Sequence, residues 1–323
     1  MANGFKFPKL PPGCRVGAFI LGEQLSSDGN MARIYRAFTR DNRRCPVAVK
    51  IARSDDETFD KLLRTEAEML VNLRHPGIVH IYPIQLDQQV IYIGRSRHLA
   101  QYFNGRPPWY YAMEILSGGS VESHYRSRQF RALPLEWKLE LIYQVAVVLD
   151  YLHSAGIAHR DLKMANVVFR RPPGEFEAPQ PVLIDFGIAA KHRWRPMEKA
   201  GTLSHLSPER VEDVMGVRAR NYRTTDGSIN HLPSDVWALG VMSYEILTGQ
   251  YPFEPYKSAE ELADNILNRN PPSLVPKTPP EVERIVFGML AKVREQRPPI
   301  SEVIRMLDTK TPFLPPRVNL QPQ

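Results

Sequence analysis

His159-Arg160-Asp161-Leu162-Lys163-Met164-Ala165-Asn166, followed by Asp185-Phe186-Gly187, is the stretch on which the reading of this chain turns. Eight residues hold a carboxylate, an ammonium group and a carboxamide, and the second block adds another carboxylate. An isolated Asp or Asn in a loop is ordinarily turn chemistry, because its short side chain bonds nearby backbone. The complete Asp-x-Lys-x-x-Asn spacing ahead of Asp-Phe-Gly leaves little room for that explanation.

Upstream of these blocks the pattern is strand-rich. Residues 1–14 carry Pro8, Pro11, Pro12 and Gly13 and read as an irregular arm. Short strands with turns are expected at 19–21, 33–37 and 47–51. A helix then follows from Phe59, Leu62, Leu63, Glu66, Met69, Leu70 and Leu73, which recur at three- and four-residue intervals. Glu66 falls inside that apolar stripe. A carboxylate facing a core needs a partner, since an unpaired buried charge is costly. Lys50 on the preceding strand is the candidate. Further strands are expected at 78–84, 90–94 and 109–113, with residues 95–108 forming an enlarged hairpin loop. Glu114 to Gly119 reads as a hinge.

Downstream the pattern turns helical. Trp137, Leu141, Ile142, Val145, Val148, Leu149 and Leu152 give a broad apolar face on a helix ending near Gly156. Val236 to Leu247 is apolar nearly all round, which marks a buried helix. Val282, Ile285, Val286, Met289 and Leu290 repeat the spacing. The tail 311–323 is Pro-rich and reads as a linker. No internal repeat is present.

The 323 residues are 43% hydrophobic and 24% charged, an ordinary globular composition. Cys14 and Cys45 show no disulfide or zinc pattern, which fits a reducing cytosol and a cytoplasmic location. No run of 18 apolar residues exists, so no membrane span is expected, and the N-terminus lacks a signal-peptide core. The net charge of +7 comes without a nucleic-acid-binding signature, so no nucleic acid partner is expected.

Five blocks in compatible order make the chain resemble the eukaryotic-type Ser/Thr protein kinase family over residues 15 to 310. It is most similar to bacterial members, with Gly-Asn-Met-Ala-Arg-Ile-Tyr at 29–35 and Leu-Ser-Pro-Glu-Arg at 206–210. The resemblance implies an α+β, two-lobed protein kinase fold. A small antiparallel β-sheet lobe with one key helix would span 15–113, a hinge 114–119, and a larger mainly α-helical lobe 120–310. It also implies transfer of the ATP γ-phosphoryl group to Ser/Thr hydroxyls of protein substrates. Asp161 would be the base, Lys163 would contact the γ-phosphate, and Lys50, paired with Glu66, would hold the α- and β-phosphates. Asn166 and Asp185 would hold Mg²⁺, with Mn²⁺ as an alternative. Ser27, Gly29 and Ala32 would cover the phosphates. Ile34, Ala48 and Val168 would sandwich adenine, Met113 would guard the pocket behind it, and Glu114 to Leu116 would offer it backbone bonds. His159 would pack against Phe186 in line with Leu70, without a catalytic role. Thr202 would position substrate, Glu209 would pair with Arg297, and Asp235 would bond the backbone of the 159–166 loop.

The chain also departs from the family. Ser27 and Ala32 replace two glycines of the phosphate-covering hairpin, and Asp28 adds negative charge there. Residues 188–200 contain no Ser, Thr or Tyr, so activation by phosphorylation within that stretch is not expected. Lys191, Arg193, Arg195 and Lys199, with Arg126, Arg128 and Arg131, raise the expectation of acidic substrates. Val211 to Pro233 is longer than the family needs and reads as an insertion. A dimer, and tethering through a region beyond residue 323, both fit the family pattern. The competing readings are a weakly active or inactive kinase-fold scaffold, supported by the eroded hairpin, and a small-molecule phosphotransferase. Residues 207–209 argue against the latter.

Overall fold

The computed structural model describes residues 9–25, 32–39, 46–53, 57–83, 99–101, 109–174, 177–186, 203–216 and 230–308, with 57–61 and 99–101 as backbone only. The chain divides into two compact units, Met1–Leu116 with Asp185–Ala190, and Ser117–Ile184 with Lys191–Gln323. The first carries a seven-stranded antiparallel sheet and the second is mainly helical, so the chain is α+β.

In the first unit the strands are β1 (Arg15–Val16), β2 (Phe19–Gln24), β3 (Ala32–Thr39), β4 (Val47–Ala52), β5 (Ile81–Tyr82), β6 (Leu99–Gln101) and β7 (Trp109–Met113). They run in the order β1-β2-β3-β4-β7-β5, with β6 also on β7. Strand alternation sends neighbouring residues to opposite faces. Tyr35, Ala37, Val49, Ile51, Tyr110 and Ala112 join Val16, Phe19 and Leu21 in one apolar cluster. On the other face, Ile34 stands opposite Lys50 and Lys50 opposite Tyr111, while Arg36, Ala48, Met113 and Ile81 form the next row. Helix α1 (Glu57–Asn72) packs against β4 and β7. It buries Leu63, Glu66, Ala67 and Leu70 at the spacing its stripe predicts. Three residues of the expected 95–108 loop, Leu99–Gln101, instead pair with Tyr111, Tyr110 and Trp109 and lengthen the sheet. Their Leu-Ala-Gln sequence is too short to announce a strand by alternation. The strand expected at 90–94 lies outside the described residues, and the one expected at 78–84 is confined to Ile81–Tyr82.

The second unit begins with two single-turn helices, α2 (Val121–His124) and α3 (Arg128–Arg131), each capped by a serine side chain. Then come α4 (Leu135–Ser154), the hairpin of β8 (Val167–Phe169) and β9 (Pro181–Leu183), α5 (Pro208–Met215), α6 (Leu232–Thr248), α7 (Ala259–Asn268), α8 (Pro280–Met289) and α9 (Ile300–Asp308). Helix α6 is buried at every position from Asp235 to Ile246 and touches α4 and α8. Gly249, at φ 73°, ends it and donates its N–H to the Glu245 carbonyl. The range 211–233, expected to hold an insertion, begins and ends in helix. Val211 to Met215 continue α5, with Val211 fully buried, and Leu232 and Pro233 open α6. Proline at the first turns of α5 and α6 sets those starts, because its missing N–H costs a helix nothing there.

Candidate functional site

Each unit gathers one set of the candidate residues. In the first, the Lys50 ammonium group reaches both oxygens of Glu66, at 2.8 and 2.7 Å, and lies 3.3 Å from Asp185 Oδ1. Lys50 and Glu66 are 8% and 2% exposed, so this pair is removed from water. Glu66 Oε1 also accepts the Phe186 N–H at 3.0 Å. Burial works to lower the Lys50 pKa, but the Asp185 and Glu66 carboxylates more than offset it and hold it well above the ordinary lysine value. Burial raises the Glu66 carboxyl, and Lys50 draws it back. Lys50 remains charged, because two carboxylates face one ammonium group. Asp185 adopts a left-handed backbone at φ 64°, which is strained for a non-glycine residue.

Ala32, Ile34, Ala48 and Met113 occupy the same sheet face as Lys50. Ser27 and Gly29 lie outside the described residues. Glu114 donates its N–H to the His80 carbonyl at 2.9 Å, and its side chain accepts the His80 N–H at 3.0 Å. Both the N–H and the carboxylate of Glu114 are thus engaged with His80. Leu116 closes the first unit. Val168 belongs to the second unit, where it pairs with Val182 and bridges to Ser120.

In the second unit Asp161, Lys163 and Asn166 form one cluster. Lys163 Nζ lies 2.8 Å from Asp161 Oδ2, and Asn166 Nδ2 donates to the Asp161 carbonyl at 2.8 Å and to Oδ2 at 2.9 Å. With its nitrogen so engaged, Asn166 has its amide oxygen to offer a cation. The loop is fixed from below by Asp235, which is 1% exposed. Its carboxylate accepts the backbone N–H groups of His159 and Arg160 at 2.7 and 2.8 Å, and His153 Nε2 at 3.0 Å. This is the role the sequence implied. Arg160 is the other non-glycine residue at positive φ, at 65°. His159 is fully buried, and its Nε2 donates to the Ile184 carbonyl at 3.2 Å.

Glu209 and Arg297 meet in a two-pronged pair at 2.8 and 2.6 Å, also as expected. Burial would raise the Glu209 pKa, yet the Arg297 hydrogen bonds and charge bring it down to about 2. Ser234 donates to Glu209 at 3.0 Å, and Arg297 also bonds the Pro233 and Ala291 carbonyls, so little of either charge is left unsolvated by protein. Thr202 and residues 188–200 lie outside the described residues. Among the described residues no cluster of three or more His, Cys, Asp or Glu could cage a metal ion. A hard cation that keeps waters and substrate phosphates in its shell needs no such cage.

One residue beside this site is, in the sequence, only part of a strand. Tyr111 stands opposite Lys50 with its ring centroid 5.9 Å from the ammonium nitrogen. The available signal was its place two residues from Met113, which puts both side chains on one face.

Comparison with known proteins places the chain among relatives. Residues 22–307 match the protein kinase domain family. The serine/threonine-protein kinase ULK3 of Xenopus laevis is 29% identical over 303 residues, covering 92% of this chain and 55% of the relative. ULK3 of Homo sapiens is 31% identical over 261 residues, covering 79% and 46%. The bacterial serine/threonine-protein kinase PknA of Mycobacterium tuberculosis is 29% identical over 290 residues, covering 86% and 58%. The chain thus spans about half the length of the curated relatives it matches. With the match running from β2 to α9, the chain belongs to the protein kinase domain family.

Proposed function

We propose that this chain is a Ser/Thr protein kinase that transfers the ATP γ-phosphoryl group to Ser or Thr hydroxyls of proteins. The family uses ATP and a divalent metal ion, and phosphoryl transfer asks the protein mainly for alignment and charge neutralisation. The observation that carries the proposal is the cluster at 161–166. Its carboxylate is held by Lys163 and Asn166 in an orientation that suits a hydroxyl acceptor, and a lysine two residues after the base suits the γ-phosphate. Asp161 acts as base. Lys50, steadied by Glu66, takes the α- and β-phosphates. Asn166 and Asp185 give oxygen ligands to Mg²⁺, which would neutralise phosphate charge when bound. Ser27, Gly29, Ala32, Ile34, Ala48, Met113, Glu114, Leu116 and Val168 line the nucleotide.

Arg126, Arg128 and Arg131 are exposed, which supports a preference for acidic protein segments. No helix among the described residues is long and apolar enough to cross a membrane. The test is ATP turnover with Mg²⁺ on an acidic and a basic protein, beside Asp161→Asn. Transfer to Ser or Thr that falls by about 10²–10⁴ in the variant supports the assignment. No transfer, together with no MgATP-dependent thermal shift, overturns it in favour of a non-catalytic scaffold. Equal rates on the two proteins overturn the acidic preference alone.

A further inference from the structure

We propose that His205 is a charge-linked clasp between the segment 203–207 and helix α6. Its ring joins the Ser204 hydroxyl to the Glu245 carboxylate, and it grips harder when protonated. The clasp lies wholly within the second unit. Its effect on turnover rests on the kinase reading given above, in which Thr202 directly precedes this segment and positions substrate.

Burial supplies the first argument. Glu245 sits on a helix whose residues from Asp235 to Ile246 are all buried, and it is itself 5% exposed. A carboxylate there needs a cation or donors, because an unpaired buried charge is costly. Among the described residues its ion-pair partner is His205, with Nε2 3.6 Å from Oε2. Neither of these two atoms makes a hydrogen bond among the described residues. The gap is thus too long for a hydrogen bond and short enough for an ion pair.

The ring supplies the second. His205 Nδ1 lies 2.9 Å from Ser204 Oγ, so one ring nitrogen is engaged and the other faces the carboxylate. In a neutral imidazole one nitrogen donates and the other accepts. When the ring gives its N–H to the Ser204 oxygen, a bare lone pair faces Glu245 and repels it. A protonated ring donates at both nitrogens, to a hydroxyl oxygen and a carboxylate together, and the bond to the carboxylate becomes charge-assisted. The backbone that carries the ring is already held, since Tyr251 donates its hydroxyl to the Ser204 carbonyl at 2.6 Å. Closing the gap therefore asks for a small ring movement rather than a rearranged chain.

The surroundings leave the switching to His205. Tyr251 and Tyr256 follow α6 with ring centroids 6.1 Å apart. Tyr125, at the C-terminal end of α2, carries the Arg126 guanidinium 5.1 Å from its ring centroid. Burial first and the Glu245 charge second raise the Tyr251 and Tyr125 hydroxyls above the ordinary tyrosine range, so both stay protonated. Arginine keeps its charge, and Glu254 is exposed to water. Histidine is the one side-chain type in this set whose ordinary charge change falls between about pH 5 and 8. At its far end the segment is tied to α6 by Ser207 and Glu209, which bond Ser234 at 3.2 and 3.0 Å. Those contacts hold no histidine, so proton uptake tightens the segment at its His205 end.

The test uses His205→Gln, Glu245→Gln and the double variant, each unfolded by denaturant at about pH 5.5 and about pH 8, either side of histidine's ordinary charge change. KM for ATP and for a protein substrate is measured at both. Glutamine keeps a donor facing Glu245 and carries no titrating charge. The His205–Glu245 coupling should favour folding about three- to tenfold at the lower pH and less than about twofold at the higher. KM for the protein substrate in the wild type, divided by that of His205→Gln, should rise about threefold from the lower pH to the higher, while the same ratio for ATP stays flat. A coupling that is absent, or equal at the two pH values, overturns the proposal. Where Glu245→Gln fails to fold, the stability difference between wild type and His205→Gln decides, and a difference that does not shrink as pH rises overturns it too. A flat protein-substrate ratio beside a pH-dependent coupling overturns the link to turnover. A wild type that phosphorylates nothing while the coupling changes with pH defeats the kinase reading and leaves the clasp standing.

Discussion

Glu209 shows how much a single buried charge can carry. Its pKa lies at about 2 in the fold against an ordinary 4.5. A carboxylate whose pKa is depressed by folding stabilises the native state above its unfolded pKa. That contribution is lost as pH falls through the folded value. Between pH 4.5 and 2 the wild type should therefore lose about 3 kcal/mol that Glu209→Gln does not lose, read from denaturant unfolding of both proteins at each pH. Near neutral pH Glu209→Ala should cost about 3–5 kcal/mol, because it strands Arg297 with no carboxylate in a dry setting. Asp235 makes a complementary case. Asp235→Ala leaves two backbone N–H groups of the 159–166 loop unsatisfied, each costing about 1–3 kcal/mol. It should lower kcat as well as stability, since Asp161 stands next to the two residues it anchors. Both partnerships were legible in the sequence. Their residues sit in motifs that resemble the family's, and that resemblance implied both partnerships. Tyr111 was not legible in the same way. A phenol suits a strand for packing reasons alone, and only the β4–β7 register shows which charge it faces.

At the scale of elements, Gly240 sets how closely α6 and α8 approach. A Cβ there would stand 2.9 Å from the Cβ of Met289 and 3.0 Å from two side-chain carbons of Leu290. Gly240→Ala should therefore destabilise the protein by about 1–3 kcal/mol despite its better helix propensity, measured by thermal or denaturant unfolding. Long periodic helices such as α4 and α6 were readable because many apolar positions repeat. Short ones carry weaker signals. Helix α7 opens on Ser258, whose side chain accepts the Glu261 N–H at 3.1 Å, with Glu261 bonding back to the Lys257 N–H at 2.7 Å. That is a serine-to-glutamate capping signature three residues apart. Helix α9 buries Ile300, Val303 and Leu307 just beyond Pro298 and Pro299. In ten residues such cues compete with too few repeats to decide the matter. The helix at 211–215 is hidden for a similar reason, since Val211 is a core residue of an eight-residue helix with few repeats.

For the whole molecule, the question is what sets activity. Residues 188–200 carry no hydroxyl, and the nearest serines that follow are poor acceptors as folded. Ser207 is buried and bonds Ser234 at 3.2 Å. Ser204 is buried, with its hydroxyl 2.9 Å from the His205 ring. Phosphatase-treated protein should thus retain its kinase activity, and a required phosphate on Thr202, Ser204 or Ser207 would contradict this. On the proposed function, removing divalent cations with a chelator should abolish transfer, and adding back Mg²⁺ should restore it, because phosphoryl transfer needs the phosphate charge neutralised.

The left-handed backbone at Arg160 and Asp185 has a consequence for how this chain would drift under selection. Both conformations favour glycine or asparagine, yet an arginine and an aspartate hold them, one in each proposed catalytic block. A library selected only for heat resistance should gather Gly or Asn at 160 and 185 and lose turnover as it gains melting temperature. Selection for turnover should restore the original pair first. These two positions would then act as a gauge of which pressure a population had experienced.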